Sequence, residues 1–208
     1  PQGTSGQDGA QSRASNSVSD APAGNSQTPF RPLTQAMLND PDPADWVMWR
    51  GGYANWGYSP LDQITADNVN ELRLAWSWAF APAGPGSTGM QVEPIVYDGV
   101  MYLRHANERY SAHDATTGDV IWEYSRPIPE EITSGEAVFT VHRGRGVFLF
   151  EDRLIGHSTD GMLFALDPRT GELVWETEMT DFRDGQQPSG APVVFNGAIA
   201  VPYNCTAW

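Results

Sequence analysis

The sequence is most constraining in what it has little of. One cysteine, Cys205, stands among 208 residues, so no disulfide closes within the chain and no cysteine-rich zinc site can form. Basic residues are scarce. Twelve Lys and Arg against 26 Asp and Glu give a formal net charge of −14. That balance excludes a nucleic-acid backbone or an anionic membrane as the main partner, since both attract an excess of Lys and Arg. No apolar run reaches the roughly 18 residues of a membrane-spanning helix. The four histidines, His105, His113, His142 and His157, are scattered and form no close ligand pair. What is present is 40% hydrophobic and 11% aromatic, too apolar for disorder throughout and enough for a sizeable core.

Residues 1–30 are a different material from the rest. They are rich in Gly, Ser, Gln, Asn and Ala and nearly lack large apolar side chains, so little offsets the entropy of ordering them. They read as an extended low-complexity arm or linker. They lack the basic start and apolar stretch of a secretory signal. Residues 31–71 are an aromatic lead-in. Trp46, Trp49, Tyr53, Trp56 and Tyr58 stand among glycines with neither a 3.6 nor a 2.0 period, which predicts a packed loop. Thr65 followed by Asn68 predicts one helical turn. Leu72, Leu74, Trp76, Trp78 and Phe80 then alternate as in a strand.

The decisive feature is an internal repeat. Ala112-His113-Asp114-Ala115-Thr116-Thr117-Gly118-Asp119-Val120-Ile121-Trp122 parallels Ala165-Leu166-Asp167-Pro168-Arg169-Thr170-Gly171-Glu172-Leu173-Val174-Trp175, an offset of 53 residues from Trp122 to Trp175. Upstream, Asp98-Gly99 and Glu151-Asp152 separate short apolar runs at the same offset, and Asn196-Gly197 opens a third copy. Asp-Gly and Asn-Gly suit two-residue hairpins with positive φ. In Asp-x-x-Thr-Gly the carboxylate can accept backbone N–H bonds while Gly takes the left-handed position. Four short strands per unit of about 50 residues, without helical periodicity, predict an all-β fold of propeller blades. The expected blades run over residues 92–124, 145–178 and 190–208. Residues 72–80 are expected to supply the closing strand of the last blade.

The Ala-x-Asp-x-x-Thr-Gly-x-x-x-Trp unit resembles the tryptophan-docking motif of the quinoprotein dehydrogenases. The lead-in Tyr58-Ser59-Pro60-Leu61-Asp62-Gln63-Ile64-Thr65, with Leu72 and Trp76 after it, is similar to the alcohol dehydrogenase branch of that family, as is Arg145-Gly146-Val147. The resemblance implies an eight-bladed β-propeller of the periplasm or a secreted compartment. It implies alcohol or aldehyde oxidation with pyrroloquinoline quinone and a Ca²⁺ or lanthanide ion, and electron transfer to a cytochrome c. About five further blades are needed to close such a ring, so a second polypeptide is expected to complete it.

Carried over residue by residue, the resemblance implies a cofactor site that departs from the family pattern. Where the family has a Glu before the first-blade Pro, counting back from Pro94 gives Gln91. Gln can still hydrogen-bond a carboxylate or carbonyl, without a negative charge beside an anionic cofactor. The family's adjacent cysteines align with Phe139-Thr140. Its Asn-Arg-Gly arginine aligns with Arg145, whose guanidinium suits quinone oxygens. Its second-blade Thr aligns with Ser158. Its third-blade Ser-Gly-x-Glu loop aligns with Asn204-Cys205-Thr206-Ala207, so Asn204, Cys205 and Thr206 are cofactor-site candidates and Ala207 cannot be the metal ligand. The catalytic base and most metal ligands are expected outside these residues. A propeller that kept the scaffold and lost the cofactor is the alternative. Elsewhere, Glu130-Glu131 reads as a solvated loop, and Asn39-Asp40-Pro41-Asp42 lacks the glycine and final Glu of a calcium loop.

Overall fold

The computed structural model describes residues 29–79, 91–106, 108–134 and 145–205. Residues 1–28, Phe80, Phe139, Thr140, His142, Thr206 and Ala207 lie outside the described residues. The first sheet is an antiparallel meander of β1 (Ile95–Tyr97), β2 (Val100–His105), β3 (Arg109–Asp114) and β4 (Val120–Ser125). The second repeats it with β5 (Phe148–Phe150), β6 (Arg153–His157), β7 (Met162–Leu166) and β8 (Leu173–Glu178). Then come β9 (Gln186–Pro188), β10 (Val193–Phe195), β11 (Ala198–Ala200) and β12 (Tyr203–Cys205), with β10 paired to β11 and β9 to β12. β10 lies against β5, so the first strands of successive units are neighbours.

Stacked sheets bury both of their faces, which explains the apolar character of the middle strands. Residues 154–157 of β6 and 163–166 of β7 are buried without alternation. Tyr110 of the first sheet meets Phe164 of the second edge to face, centroids 5.2 Å apart. Each such fully buried ring or Leu contributes about 1.5–3 kcal/mol.

The turns follow from their chemistry. Asp98 and Gly99 both have positive φ, as do Asn196 and Gly197, in two-residue hairpins. Glu151 also sits at φ 50, an unusual place for Glu. Its N–H and C=O both bond to Leu33, at 2.8 and 2.9 Å, which holds it there. In the docking turns Asp114 Oδ1 accepts the N–H of Thr116 and Thr117, and Asp167 Oδ1 accepts that of Arg169. Those bonds hold both carboxyls below the ordinary Asp range; for Asp167 the Arg169 side chain is the larger cause. A bulge interrupts the ladder just before each turn, at Ala112/His113 and at Ala165/Leu166.

Tryptophans lock one unit to the next. Trp76 lies on Gly118 and donates to Ala115 O at 3.1 Å. Trp122 lies on Gly171 and donates to Pro168 O at 2.8 Å.

Residues 72–79 have no ladder partner among the described residues, the last blade they are expected to close lying outside them, and Leu74 is left 82% exposed. Docking of Trp76 positions the segment instead. The helical turn is 3-10, Val69–Glu71, with Asn68 at the N-cap position, three residues later than an N-cap at Thr65 predicts. Asn68 Oδ1 accepts the Thr65 N–H at 2.7 Å and fixes the preceding loop.

Candidate functional site

The lead-in crosses the three units on the side of their first strands. Trp46 pairs with Val96 of β1 through both backbone groups, at 2.7 and 2.9 Å, and its indole N–H donates to Glu93. The Arg50 N–H donates to the same carboxylate at 3.1 Å. Tyr53 donates its hydroxyl to Val194 O of β10 and stands edge-on to Phe195. The aperiodic aromatic run is therefore pinned to the first unit at one end and to the third at the other.

Between these anchors is an open pocket of about 580 Å³. Met48, Trp49, Tyr53 and Asn55 of the lead-in form part of it. The rest comes from the segments running into β1, β5 and β10: Gln91 for the first, Arg145 for the second, Gly190 and Ala191 for the third, with Val193. Gln91 and Arg145 thus share one pocket although separate blades carry them. Arg145 is the one charged side chain among the described lining residues. Trp49, 60% exposed, offers an uncovered aromatic face. An aromatic wall with one guanidinium and one amide suits a planar, anionic, carbonyl-bearing ligand.

Behind the pocket lies a fully buried polar network. Arg104 donates to both Glu108 oxygens, at 3.0 and 3.1 Å, each side chain 2% exposed. Glu108 also accepts the Thr159 N–H at 3.0 Å, the Thr159 hydroxyl and the Tyr110 hydroxyl. Arg104 lies 3.3 and 3.4 Å from the His157 ring nitrogens, and His157 Nε2 bonds Gly190 O on the pocket rim. Burial, and then Arg104, hold the His157 pKa well below the ordinary value. Burial is the largest influence and opposes the charge of Arg104, but Glu108 and Tyr110 together outweigh it and raise the guanidinium pKa. In the first sheet His105, Ser111 and His113 form a buried chain of bonds at 2.6 and 2.7 Å, and burial lowers His105 to about 4.

The other site candidates are placed differently. Ser158 is fully buried and lies off the pocket, with its hydroxyl donated to Asp160 inside the β6–β7 turn. The third-unit rim is made by Gly190 and Ala191, next to Ser189. Asn204 and Cys205 are in β12, opposite Gln187 and Gln186 of β9. Thr206 lies outside the described residues. Among the described residues no group of three or more His, Cys, Asp or Glu side chains could hold a metal ion. A smaller pocket of about 320 Å³ takes in Asp40, Asp42 and Asp45. Asp42 and Asp45 are already bonded to the backbone N–H groups of Ala44 and Asp98. Trp49, Tyr53 and the Gly190 rim escaped sequence reasoning; the signal available was that every unit offers the residues just before its first strand.

Comparison with known proteins gives the family of this fold. Residues 46–176 match the family model described as the β-propeller domain of glucose/ethanol/alcohol dehydrogenases. The chain is 34% identical over 166 residues to quinoprotein alcohol dehydrogenase PedH of Pseudomonas putida, covering 79% of this chain and 27% of that one. It is 38% identical over 159 residues to 1-butanol dehydrogenase (cytochrome c) of Thauera butanivorans, covering 74% and 22%. Among solved structures, a quinohemoprotein alcohol dehydrogenase of Pseudomonas putida superposes with a TM-score of 0.72 at 32% identity, covering 85% of this chain and 26% of that chain. A europium-containing methanol dehydrogenase gives 0.69 at 27%, covering 82% and 29%. The chain spans about a quarter of the length of these relatives. It belongs to the pyrroloquinoline-quinone-dependent alcohol dehydrogenase family and carries part of that family's β-propeller domain.

Proposed function

We propose that these residues form one side of the quinone site in a dehydrogenase that oxidises an alcohol or aldehyde. The observation that carries this reading is the meeting of Gln91 and Arg145, from the lead-ins of two successive blades, on one pocket beside Trp49. The residues fit the cofactor by charge and shape. Arg145 forms no ion pair among the described residues, so its donors remain for carboxylate or quinone oxygens. Gln91 adds a neutral amide that donates or accepts. When bound, pyrroloquinoline quinone supplies the two-electron oxidising capacity that side chains lack. The chain's own part is to bind and orient: Arg145 and Gln91 would hold the cofactor's oxygens, and Trp49 and Tyr53 would wall the pocket around it.

A Ca²⁺ or lanthanide ion is in keeping with the europium-containing relative, its ligands lying beyond the described residues. A cytochrome c acceptor follows the cytochrome-linked butanol dehydrogenase. A periplasmic or secreted location rests on the family resemblance. The remaining blades, in a ring of eight, come from polypeptide outside these 208 residues. The exposed Leu72 and Leu74 support such a neighbour.

The test is an absorbance and mass spectrum of the native protein purified without added cofactor. Bound quinone with one equivalent of metal is expected. Absence of both would leave a propeller scaffold without redox chemistry. The polypeptide composition of the same sample decides whether a second chain completes the ring.

A further inference from the structure

The network behind the pocket uses groups for which binding of a quinone gives no reason. It contains a charged pair and a histidine, all at least 98% buried. Its geometry runs in one direction. Glu108 stands at φ 54, a conformation that costs a non-glycine residue about 1 kcal/mol. It keeps that conformation while its carboxylate accepts from Arg104, Thr159 and Tyr110. Arg104, oriented by Glu108, points its second nitrogen at the His157 ring. Arg104 Nε is left without a hydrogen-bond partner, so the guanidinium is aimed at these two groups at the expense of its third donor. Gly190 O can only accept, so His157 Nε2 carries the proton, while the Arg104 nitrogen lies 3.4 and 3.3 Å from Nδ1 and Nε2 and selects neither. The chain of bonds therefore crosses three units: Arg104 and Glu108 in the first, Thr159 and His157 in the second, Gly190 in the third.

We propose that His157 is a positioning residue for the cofactor pocket: it donates Nε2–H to the Gly190 carbonyl from behind, while its ring is held in place by Arg104, itself oriented by Glu108. Gly190 and Ala191 line the pocket with Gln91 and Arg145, so freeing that carbonyl loosens the rim the ligand meets. The effect on ligand affinity rests on the quinone reading; the bond to Gly190 does not. The groups facing the imidazole are Arg104, the Tyr110 hydroxyl through His157 O, and Glu108 one bond further on.

The test uses the native holoenzyme, its cofactor-free form, and two polar variants. His157→Gln keeps an amide N–H of similar reach; His157→Asn is too short. Hydrogen exchange at Gly190 and Ala191 should rise roughly tenfold in His157→Asn and return to within about threefold of wild type in His157→Gln. Quinone affinity should fall and recover in parallel, by roughly tenfold. Equal exchange in both variants and wild type would overturn the proposal. A measurement on the unmodified protein guards against a variant that fails to fold. The ¹⁵N shifts of His157 should report the Nε2–H tautomer, and an Nδ1–H tautomer would overturn the proposal. Wild-type protein that binds no quinone would refute the cofactor reading, while exchange and tautomer would still decide the role of His157.

Discussion

Trp122 lies so close over Gly171 of the next unit that a Cβ there would sit 2.6 Å from the indole. The glycine is needed twice, for φ +73 and for the ring above it. Gly99 separates the two demands, since it has φ +77 with nothing within 4 Å. Gly99→Ala should therefore cost about 1 kcal/mol from backbone strain alone. Gly171→Ala should cost about 3 kcal/mol, because the indole must also leave its seat and the Pro168 carbonyl. Urea unfolding of both variants in the native protein checks the difference; equal costs would remove the docking account.

The buried ion pair leads to a second expectation. Glu108→Gln leaves Arg104 as a buried cation beside His157 and should cost about 3–5 kcal/mol. The double variant Arg104→Met with Glu108→Gln should cost less than Glu108→Gln alone, since no charge is then stranded. A double-mutant cycle by chemical denaturation measures this, and additive costs would contradict it.

Acid should weaken the fold before the carboxylates titrate. His105 has its pKa lowered to about 4 by burial, then by His113 and Arg109, and His157 is held well below its ordinary value. Above the unfolded value of 6.5 neither group affects stability. Below it the unfolded chain binds protons that the native state refuses, so stability falls as the pH drops from 6.5 towards 4. Each histidine adds at most about 1.4 kcal/mol per pH unit to that slope. The depressed carboxyls Asp114 and Asp167 act lower, their stabilisation being lost as the pH falls below 3.8. Urea midpoints from pH 7.5 to 4.5 should show the decline, and His157→Gln should flatten it. A midpoint independent of pH would show that both histidines titrate alike in the native and unfolded states, and would contradict this account.

Much of the fold was legible because it is local and repeated. Asp114 and Asp167, Gly118 and Gly171, and Trp122 and Trp175 each recur at an offset of 53, and their roles follow from side-chain reach and φ. The lead-in was not legible, since nothing in an aperiodic run states which strand edge it will meet. Trp46 finds its place on β1 only through Val96 and Glu93, which lie far along the chain. The strand expected over residues 72–80 shows the same limit: alternation marks a face, while a ladder also needs a neighbour. Of the nine described residues lining the pocket, Gln91 and Arg145 were singled out in the sequence, by their places relative to Pro94 and Gly146. Gly190 and Ala191 were not, since glycine and alanine carry no functional group that marks them as site residues.

The most direct test of the quinone pocket is a titration of the cofactor-free native protein with pyrroloquinoline quinone, read by quenching of tryptophan fluorescence. Saturable binding of one quinone is expected, with Arg145→Met weaker by roughly 10–100-fold, the range for a lost charge-assisted hydrogen bond. No saturable binding, or an Arg145→Met curve that overlays wild type, would contradict the assignment of this pocket.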